Sequence, residues 1–224
     1  MIYYNEHTYH SQINWRVKSN AVYRLLDNKQ WLDNFFEKGE LLLSCFSKFR
    51  LYPNEIQGDR REGDGFCYFV DDNGTTQAFK YEGGMNSLVL STSEKITEKI
   101  ITDFQAVGAI KILNTTRFAL EVSKRISYCY GGLEGRCNYS DSRVFTINDN
   151  KKIAELFRAK NFKPDQEFAY ELQSLTKEYE LFQKSKNYED QNEYRLIWFT
   201  KEPVSSSLNI NCPEALEYCD RIDF

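Results

Sequence analysis

Near the end of the chain, three polar residues alternate with other residues as a strongly apolar run begins. Residues 188–200 read YEDQNEYRLIWFT, and their aromatic and β-branched side chains favour a strand. Side chains alternate along a strand, so Gln191, Glu193 and Arg195 share one face at a spacing of roughly 7 Å. The other face carries Asn192, Tyr194, Leu196 and Trp198. The pattern indicates either a carboxylate site or a polar strand end with a Glu–Arg ion pair.

The histidine and cysteine content limits the chemistry that the chain can perform. The only histidines are His7 and His10, so a Ser-His or Cys-His mechanism would have to recruit the N-terminal segment. The six cysteines form no C-x-x-C pair, which argues against a zinc site. We therefore expect a carboxylate to carry any catalysis, without a metal.

The overall charge and hydropathy pattern place the chain in a broad class. The net charge of −4 argues against a surface that binds nucleic acid mainly by charge. The chain has no run of 18 apolar residues and no signal-peptide pattern. These features predict a cytoplasmic protein that makes no membrane contact, with cysteines that remain free thiols.

Two further polar residues belong to a predicted strand–helix–strand unit early in the chain. Arg24 lies within a strand predicted over 21–26, and Ser44 follows the apolar run of a strand predicted over 40–46. Between them, 27–40 has a helical period, with Asp27 as a start cap and Gly39 as an end cap. A buried arginine requires an anionic partner, which is either an internal carboxylate or a ligand.

The charged segment 49–65 predicts a loop covering a site. Its acids Glu55, Asp59, Glu62 and Asp64 suggest a metal loop, but their spacing matches no calcium loop. Asp59, Glu62 and Asp64 also suggest a metal-dependent nuclease, although such a site usually takes its acids from core strands. Ser91 is also a candidate site serine, but its spacing to Glu94 predicts a capping box at the start of a helix over 94–104.

The remaining pattern alternates strands and helices. It predicts a loop over 131–143, a long helix over 165–184, a polar turn over 201–211 and a final short helix from Pro213 to near Cys219. We therefore expect one α+β domain spanning 1–224, in which 1–20 form an N-terminal extension.

Three polar features follow one another along the chain. Arg24 lies in the first core strand, Ser44 ends the next strand, and the Gln-x-Glu pair of Gln191 and Glu193 opens a late strand. This order resembles the ADP-ribosyltransferase superfamily of the Arg-Ser-Glu type, and in particular its small bacterial toxins. The resemblance covers the order of the parts. It implies a mixed or antiparallel split sheet with peripheral helices, and a helical insertion over 114–185 that would account for the length of the chain.

The resemblance also implies roles for these residues, with NAD as co-substrate. Glu193 would bond the ribose 2′-hydroxyl and stabilise the ribosyl cation, and Arg24, with Tyr23 beside it, would bind the dinucleotide. Ser44 would orient the nicotinamide ribose, and Gln191 would face the acceptor. The segment Ser91–Ser93 is a competing match for the serine motif. We prefer Ser44, because a capping box accounts for Ser91 and because Ser44 follows the first strand–helix unit, where the family places its serine.

The function implied is transfer of ADP-ribose from NAD to a protein, RNA or DNA by a toxin or antiviral defence effector, with an antitoxin as partner. A nucleic-acid acceptor would need a local basic patch, for which the sequence offers Arg60, Arg61, Arg117, Lys124, Arg125 and Arg136. The alternative is a non-catalytic interaction protein, such as an antitoxin, inhibitor or adaptor, which the high Tyr and Phe content favours.

Overall fold

The computed structural model of the chain describes residues 21–51, 59, 61–70, 74, 76–141, 144–146, 150–159, 168, 171 and 178–224. The predicted N-terminal extension, 1–20, lies outside these residues. The elements are, in chain order, β1 (Val22–Leu26), α1 (Lys29–Lys38), β2 (Glu40–Cys45), α2 (Phe46–Leu51), β3 (Asp64–Val70), β4 (Thr76–Glu82), β5 (Ser87–Ser93), α3 (Glu98–Asp103), β6 (Gly108–Ile112), α4 (Thr115–Ser123), β7 (Cys129–Arg136), β8 (Asn138–Tyr139), β9 (Val144–Thr146), α5 (Asn150–Ala159), β10 (Gln183–Lys184), β11 (Glu193–Thr200), β12 (Leu208–Asn211) and β13 (Cys219–Asp223). Short 3₁₀ helices span Tyr179–Phe182, Lys186–Gln191 and Pro213–Tyr218.

An antiparallel sheet of eight strands dominates the described part of the chain. Its order is β12-β2-β5-β1-β6-β13, with β11 pairing both β5 and β7. Two smaller sheets contain parallel pairs, β3 with β9 and β10 with β8. The predicted α+β class is confirmed.

The sheet splits beside β5. Strand β11 pairs with β5 along its whole length, so β1 and β2 must share the opposite edge. Strand β1 meets β5 at Ser93, whereas β2 meets it at Leu88 and Val89. The edge of β5 between these contacts is therefore open, and β1 and β2 diverge from each other there.

Strand β11 is buried on both faces, which follows from its composition. Tyr194, Leu196 and Trp198 belong to the larger core, packed under α1 and α4, as the alternating pattern predicts. Ile197 and Phe199 belong to a second core on the opposite face. Because both faces are covered, the polar residues that open this strand are also removed from solvent.

Local signals fix the first strand–helix–strand unit. Helix α1 starts at Asn28, whose side chain accepts a hydrogen bond of 2.8 Å from the backbone of Gln30. It ends at Gly39, which has a φ of 74°. The predicted end cap is therefore confirmed, whereas the start cap is Asn28 rather than Asp27.

The predicted helix over 94–104 starts later than expected, and the predicted capping box of Ser91 and Glu94 is wrong. Ser91–Ser93 continue β5, and α3 begins at Glu98 with Thr97 as its cap. The strand prevails because β5 has a pairing partner on each side at Ser93. This result removes one of the two reasons for preferring Ser44 to Ser91–Ser93, while the position of Ser44 after the first strand–helix unit remains.

Pairing with distant strands also overrides weak local signals elsewhere. The glycine-rich predicted loop over 131–143 is in part β7, which is matched to β11 from Cys129 to Arg136. The predicted polar turn over 201–211 contains β12, and β13 follows the correctly predicted Pro213–Tyr218 helix.

The interval 114–185 differs from the helical insertion that we expected. It contains α4 and α5, but it also contributes β7 to the principal sheet. The predicted helix over 165–184 lies largely outside the described residues, and its last described part forms a 3₁₀ helix and β10.

The double burial of β11 predicts a large stability effect at its aromatic residue. We expect Trp198→Ala to lower the free energy of unfolding by about 3–5 kcal/mol, because it opens a cavity and removes the indole bond of 3.0 Å to the Ala119 carbonyl. Urea denaturation provides the measurement, and Trp31→Ala, at a site that is 53% exposed, is the matched control. Equal losses in the two variants would contradict this assignment of the core.

Candidate functional site

Glu193 lies at the first position of β11, where the chain leaves a left-handed turn. Asn192 has a φ of 45°, a conformation that asparagine tolerates better than most residues. The Glu193 amide donates to the Tyr139 hydroxyl at 2.7 Å, and its carbonyl accepts from the Cys137 amide at 2.9 Å. The segment that contains Cys137 and Tyr139 therefore fixes the backbone that carries this carboxylate.

Two cations hold the Glu193 carboxylate. One oxygen accepts from Arg195 Nε at 2.7 Å, and the other accepts from Lys184 Nζ. Arg195 lies two residues along the same strand, as the alternation predicts, whereas Lys184 ends β10. The Glu–Arg pair foreseen from the sequence is therefore one half of a larger buried network.

Lys184 joins the two residues expected from the Gln-x-Glu pattern. Its ammonium also donates to Gln191 Oε1 at 2.8 Å and lies 4.9 Å from the centre of the Tyr188 ring. Gln191 belongs to a 3₁₀ helix rather than to the strand, yet this bond still places its side chain beside that of Glu193. Alternation along a continuous strand does not account for this proximity; the shared lysine does.

Glu62 completes the network from the predicted covering loop. Its carboxylate pairs with Arg195 Nη2, and its carbonyl accepts from Arg50 Nη1 at 2.8 Å. A third Arg195 donor, Nη1, bonds the Leu181 carbonyl. The four charged side chains, Glu62, Lys184, Glu193 and Arg195, are only 0–6% exposed and sum to zero charge. We refer to them below as the charge network.

The charge network keeps Glu193 ionised. Burial disfavours the carboxylate, but Arg195 and Lys184 outweigh this effect and hold the pKa of Glu193 well below its ordinary value. At Glu62 burial dominates instead and raises the pKa, although Arg195 and Lys184 act in the opposite direction. The negative charge is therefore held most firmly on Glu193.

The charge network forms part of the wall of a cavity of about 210 Å³. The cavity lies at the split of the sheet, because its wall includes residues of β1, β2 and the open edge of β5. All the site residues that the sequence suggested line it, namely Tyr23, Arg24, Ser44, Gln191 and Glu193. Residues from separate parts of the chain thus converge on one concave surface.

Arg24 spans the split. Its Nη1 donates to the Ser91 carbonyl at 3.1 Å, across the part of the β5 edge that has no strand partner. The arginine predicted to need an anion is thus positioned in the cavity wall by a backbone carbonyl.

The two serine candidates occupy different walls. Ser44 lies on β2, opposite Val89. Ser93 and Ser91 lie directly opposite Glu193 and Arg195 in the β5–β11 pair, which places their side chains on the same face as the two charged residues. The Ser93 hydroxyl lies 2.7 Å from the Lys95 carbonyl and 2.8 Å from that of Gln191. Both segments therefore remain candidates, and Ser91–Ser93 is the nearer to Glu193 in register.

Sequence reasoning missed the roles of Lys184 and Glu62. The sequence pattern predicts Glu62 only as a loop acid and places Lys184 at the end of the helix predicted over 165–184. No local pattern marks either residue as a partner of β11, because each contact joins segments that are distant in the chain or separated by a turn.

Several residues of the other predicted charge clusters form ion pairs within the protein, and Arg60 lies outside the described residues. Asp64 pairs with Lys80 at 2.7 Å and Glu62 pairs with Arg195, and the described residues contain no His, Cys, Asp or Glu group arranged to hold a metal. Three residues of the predicted basic patch bond carboxylates: Lys124 with Glu121, Arg125 with Glu214, and Arg136 with Glu94. No described helix is long and apolar enough to cross a membrane.

The charge network predicts a pH-dependent loss of stability in Glu193→Gln. At pH 7 we expect the free energy of unfolding to fall by about 3 kcal/mol, because two buried cations lose their shared carboxylate. The folded-state pKa of Glu193 is lowered, so its contribution is present above the unfolded value of about 4.5 and is lost as the pH falls from there.

The measurement is urea denaturation of wild type and variant across this pH range. Their difference should shrink below pH 4.5, whereas exposed Glu189→Gln should match wild type throughout. A Glu193→Gln difference independent of pH would contradict the assignment of a buried ionised carboxylate.

We compared the chain with protein-family models, with curated proteins and with solved structures, and none of the three comparisons gave a match. The geometry and chemistry of this cavity therefore provide the evidence that bears on function.

Proposed function

We propose that the cavity binds NAD and that the protein transfers ADP-ribose to a macromolecular acceptor, a protein or a nucleic acid. One observation supports the proposal above all. Arg24, Gln191 and Glu193, which the resemblance to ADP-ribosyltransferases selects from the sequence, line the same cavity together with both serine candidates. The wider role, as a toxin or defence effector with an antitoxin partner, is part of the same proposal.

Glu193 has the properties that cleavage of the nicotinamide–ribose bond requires. The bond breaks with positive charge developing on the ribose, and a carboxylate held ionised in a buried wall stabilises that charge. A carboxylate offers about four lone-pair sites, of which Arg195 and Lys184 occupy two. The remaining sites can accept a hydrogen bond from the ribose 2′-hydroxyl.

The other residues supply binding and orientation. Arg24 carries guanidinium donors suited to a phosphate of the dinucleotide. Ser44 and Ser91 bring hydroxyl groups to the cavity wall for the nicotinamide ribose. Gln191, which Lys184 links to Glu193 by hydrogen bonds, faces the acceptor. None of these roles requires a histidine.

A second candidate function is a non-catalytic interaction protein. It is favoured by the charge network, in which each buried charge has a counter-charge within the protein. A buried carboxylate with two cationic partners can stabilise the fold without binding a ligand. This function predicts no NAD-dependent rise in melting temperature, whereas NAD at a hundred times its Kd would stabilise a binding protein by about 2.7 kcal/mol.

The deciding experiment measures nicotinamide release from NAD, with candidate protein and nucleic-acid acceptors present. We expect release by wild type and Glu189→Gln, and a loss of at least about a hundredfold in Glu193→Gln, because the cation-stabilising charge is gone. A thermal unfolding curve of the variant, recorded under the assay conditions, checks that it remains folded. Full activity in Glu193→Gln would contradict the proposed role of that residue.

Arg24 provides a test that leaves the charge network intact. We expect Arg24→Gln to weaken NAD binding by about tenfold or more, since a charge-assisted hydrogen bond contributes about 1.5–3 kcal/mol. Calorimetric titration measures the affinity, and Arg117→Gln, at an exposed position of α4 outside the cavity wall, is the matched control. An unchanged affinity of Arg24→Gln for NAD would show that Arg24 does not bind the phosphates of the dinucleotide.

A further inference from the structure

An apolar, solvent-exposed part of the cavity wall lies away from the charge network. Trp31 is 53% exposed and Leu42 is 49% exposed, and both line the cavity together with Leu26. They come from the first turn of α1, from β2 and from the end of β1. Large apolar side chains left in water at the edge of a polar cavity provide a surface on which a flat ring can pack.

Two cations lie in the same cavity outside the charge network. Lys48, from α2, is exposed, and no described carboxylate lies within ion-pair distance of it. Arg24 lines the cavity, and its guanidinium reaches from β1 to the Ser91 carbonyl of β5. The charge network is neutral, and Asp27 is the remaining acid in the wall, so these groups leave the cavity with one excess positive charge.

The spacing of these groups suits a nucleotide. Glu193 lies opposite Ser93, which in turn lies opposite Tyr23, and Leu26 ends β1 three residues further on. Strands about 4.8 Å apart and a rise of about 3.3 Å per residue separate Leu26 from Glu193 by roughly 10–15 Å. A ribose–diphosphate–ribose chain can bridge this gap.

We propose that Trp31, with Leu26 and Leu42, forms a subsite for the adenine ring of a nucleoside diphosphate whose phosphates bind Arg24 and Lys48. The proposal rests on the proposed function for the identity of the whole ligand as NAD, and it fixes the direction of that ligand in the cavity. The adenine packs at the exposed end, and the nicotinamide ribose reaches Glu193. Indole is a good partner for this ring, because a base stacks on an aromatic face regardless of its hydrogen-bonding edge.

The test uses ADP, adenosine and inorganic pyrophosphate as probes in calorimetric titrations of the full chain. We expect ADP to bind, and Trp31→Ala to weaken ADP and adenosine at least about fivefold while leaving pyrophosphate within twofold. Lys48→Met should show the reverse selectivity, weakening ADP and pyrophosphate and leaving adenosine unchanged. Phe224→Ala and Lys201→Met, at exposed positions outside the cavity, are the matched controls.

Two results overturn the subsite: no binding of ADP by wild type, or ADP affinity in Trp31→Ala within twofold of wild type. Nicotinamide release measured on the same proteins separates this inference from the proposed function. Release with an unchanged KM in Trp31→Ala rejects the subsite and keeps the transferase. ADP binding in the expected pattern without nicotinamide release keeps the subsite and rejects the transferase.

Discussion

The burial of the Glu193 carboxylate against Arg195 and Lys184 is the interaction on which the site depends. An ionised carboxylate removed from water is costly unless cations and hydrogen-bond donors replace the lost solvent. Here one donor comes from the same strand and the other from β10, while a second carboxylate, Glu62, satisfies the remaining side of Arg195. The turn before β3, the segment before β11 and β11 itself are consequently joined at one point.

This arrangement follows from the way in which β11 is enclosed. Its even-numbered residues enter the core beneath α1 and α4, and its odd-numbered residues face Phe46, Leu181 and Phe182. A strand covered on both faces has no solvent side for its polar residues. Glu193 and Arg195 therefore lie where the second core gives way to the cavity, and they pair with each other and with Lys184 and Glu62.

The split of the sheet creates the space in front of these charges. If β1 and β2 had paired continuously along β5, the edge at Ser91 would be closed and Arg24 would have no opening to span. Their divergence produces a cavity with an ionised carboxylate on one wall, a guanidinium on another, and an apolar surface at Trp31. A ligand with a ribose, phosphates and a flat ring matches these three features in turn.

The sequence by itself determined the elements whose signals are local. The α+β class, the helix ended by Gly39 and the alternation that pairs Glu193 with Arg195 all depend on residues close together in the chain. Only the tertiary structure decided that glycine-rich β7 is a strand, that Ser91–Ser93 extend β5, and that Lys184 and Glu62 reach Glu193 and Arg195. The physical reason is the same in each case. Strand pairing and buried ion pairs draw their free energy from partners in other segments, so the local pattern of a residue does not reveal them.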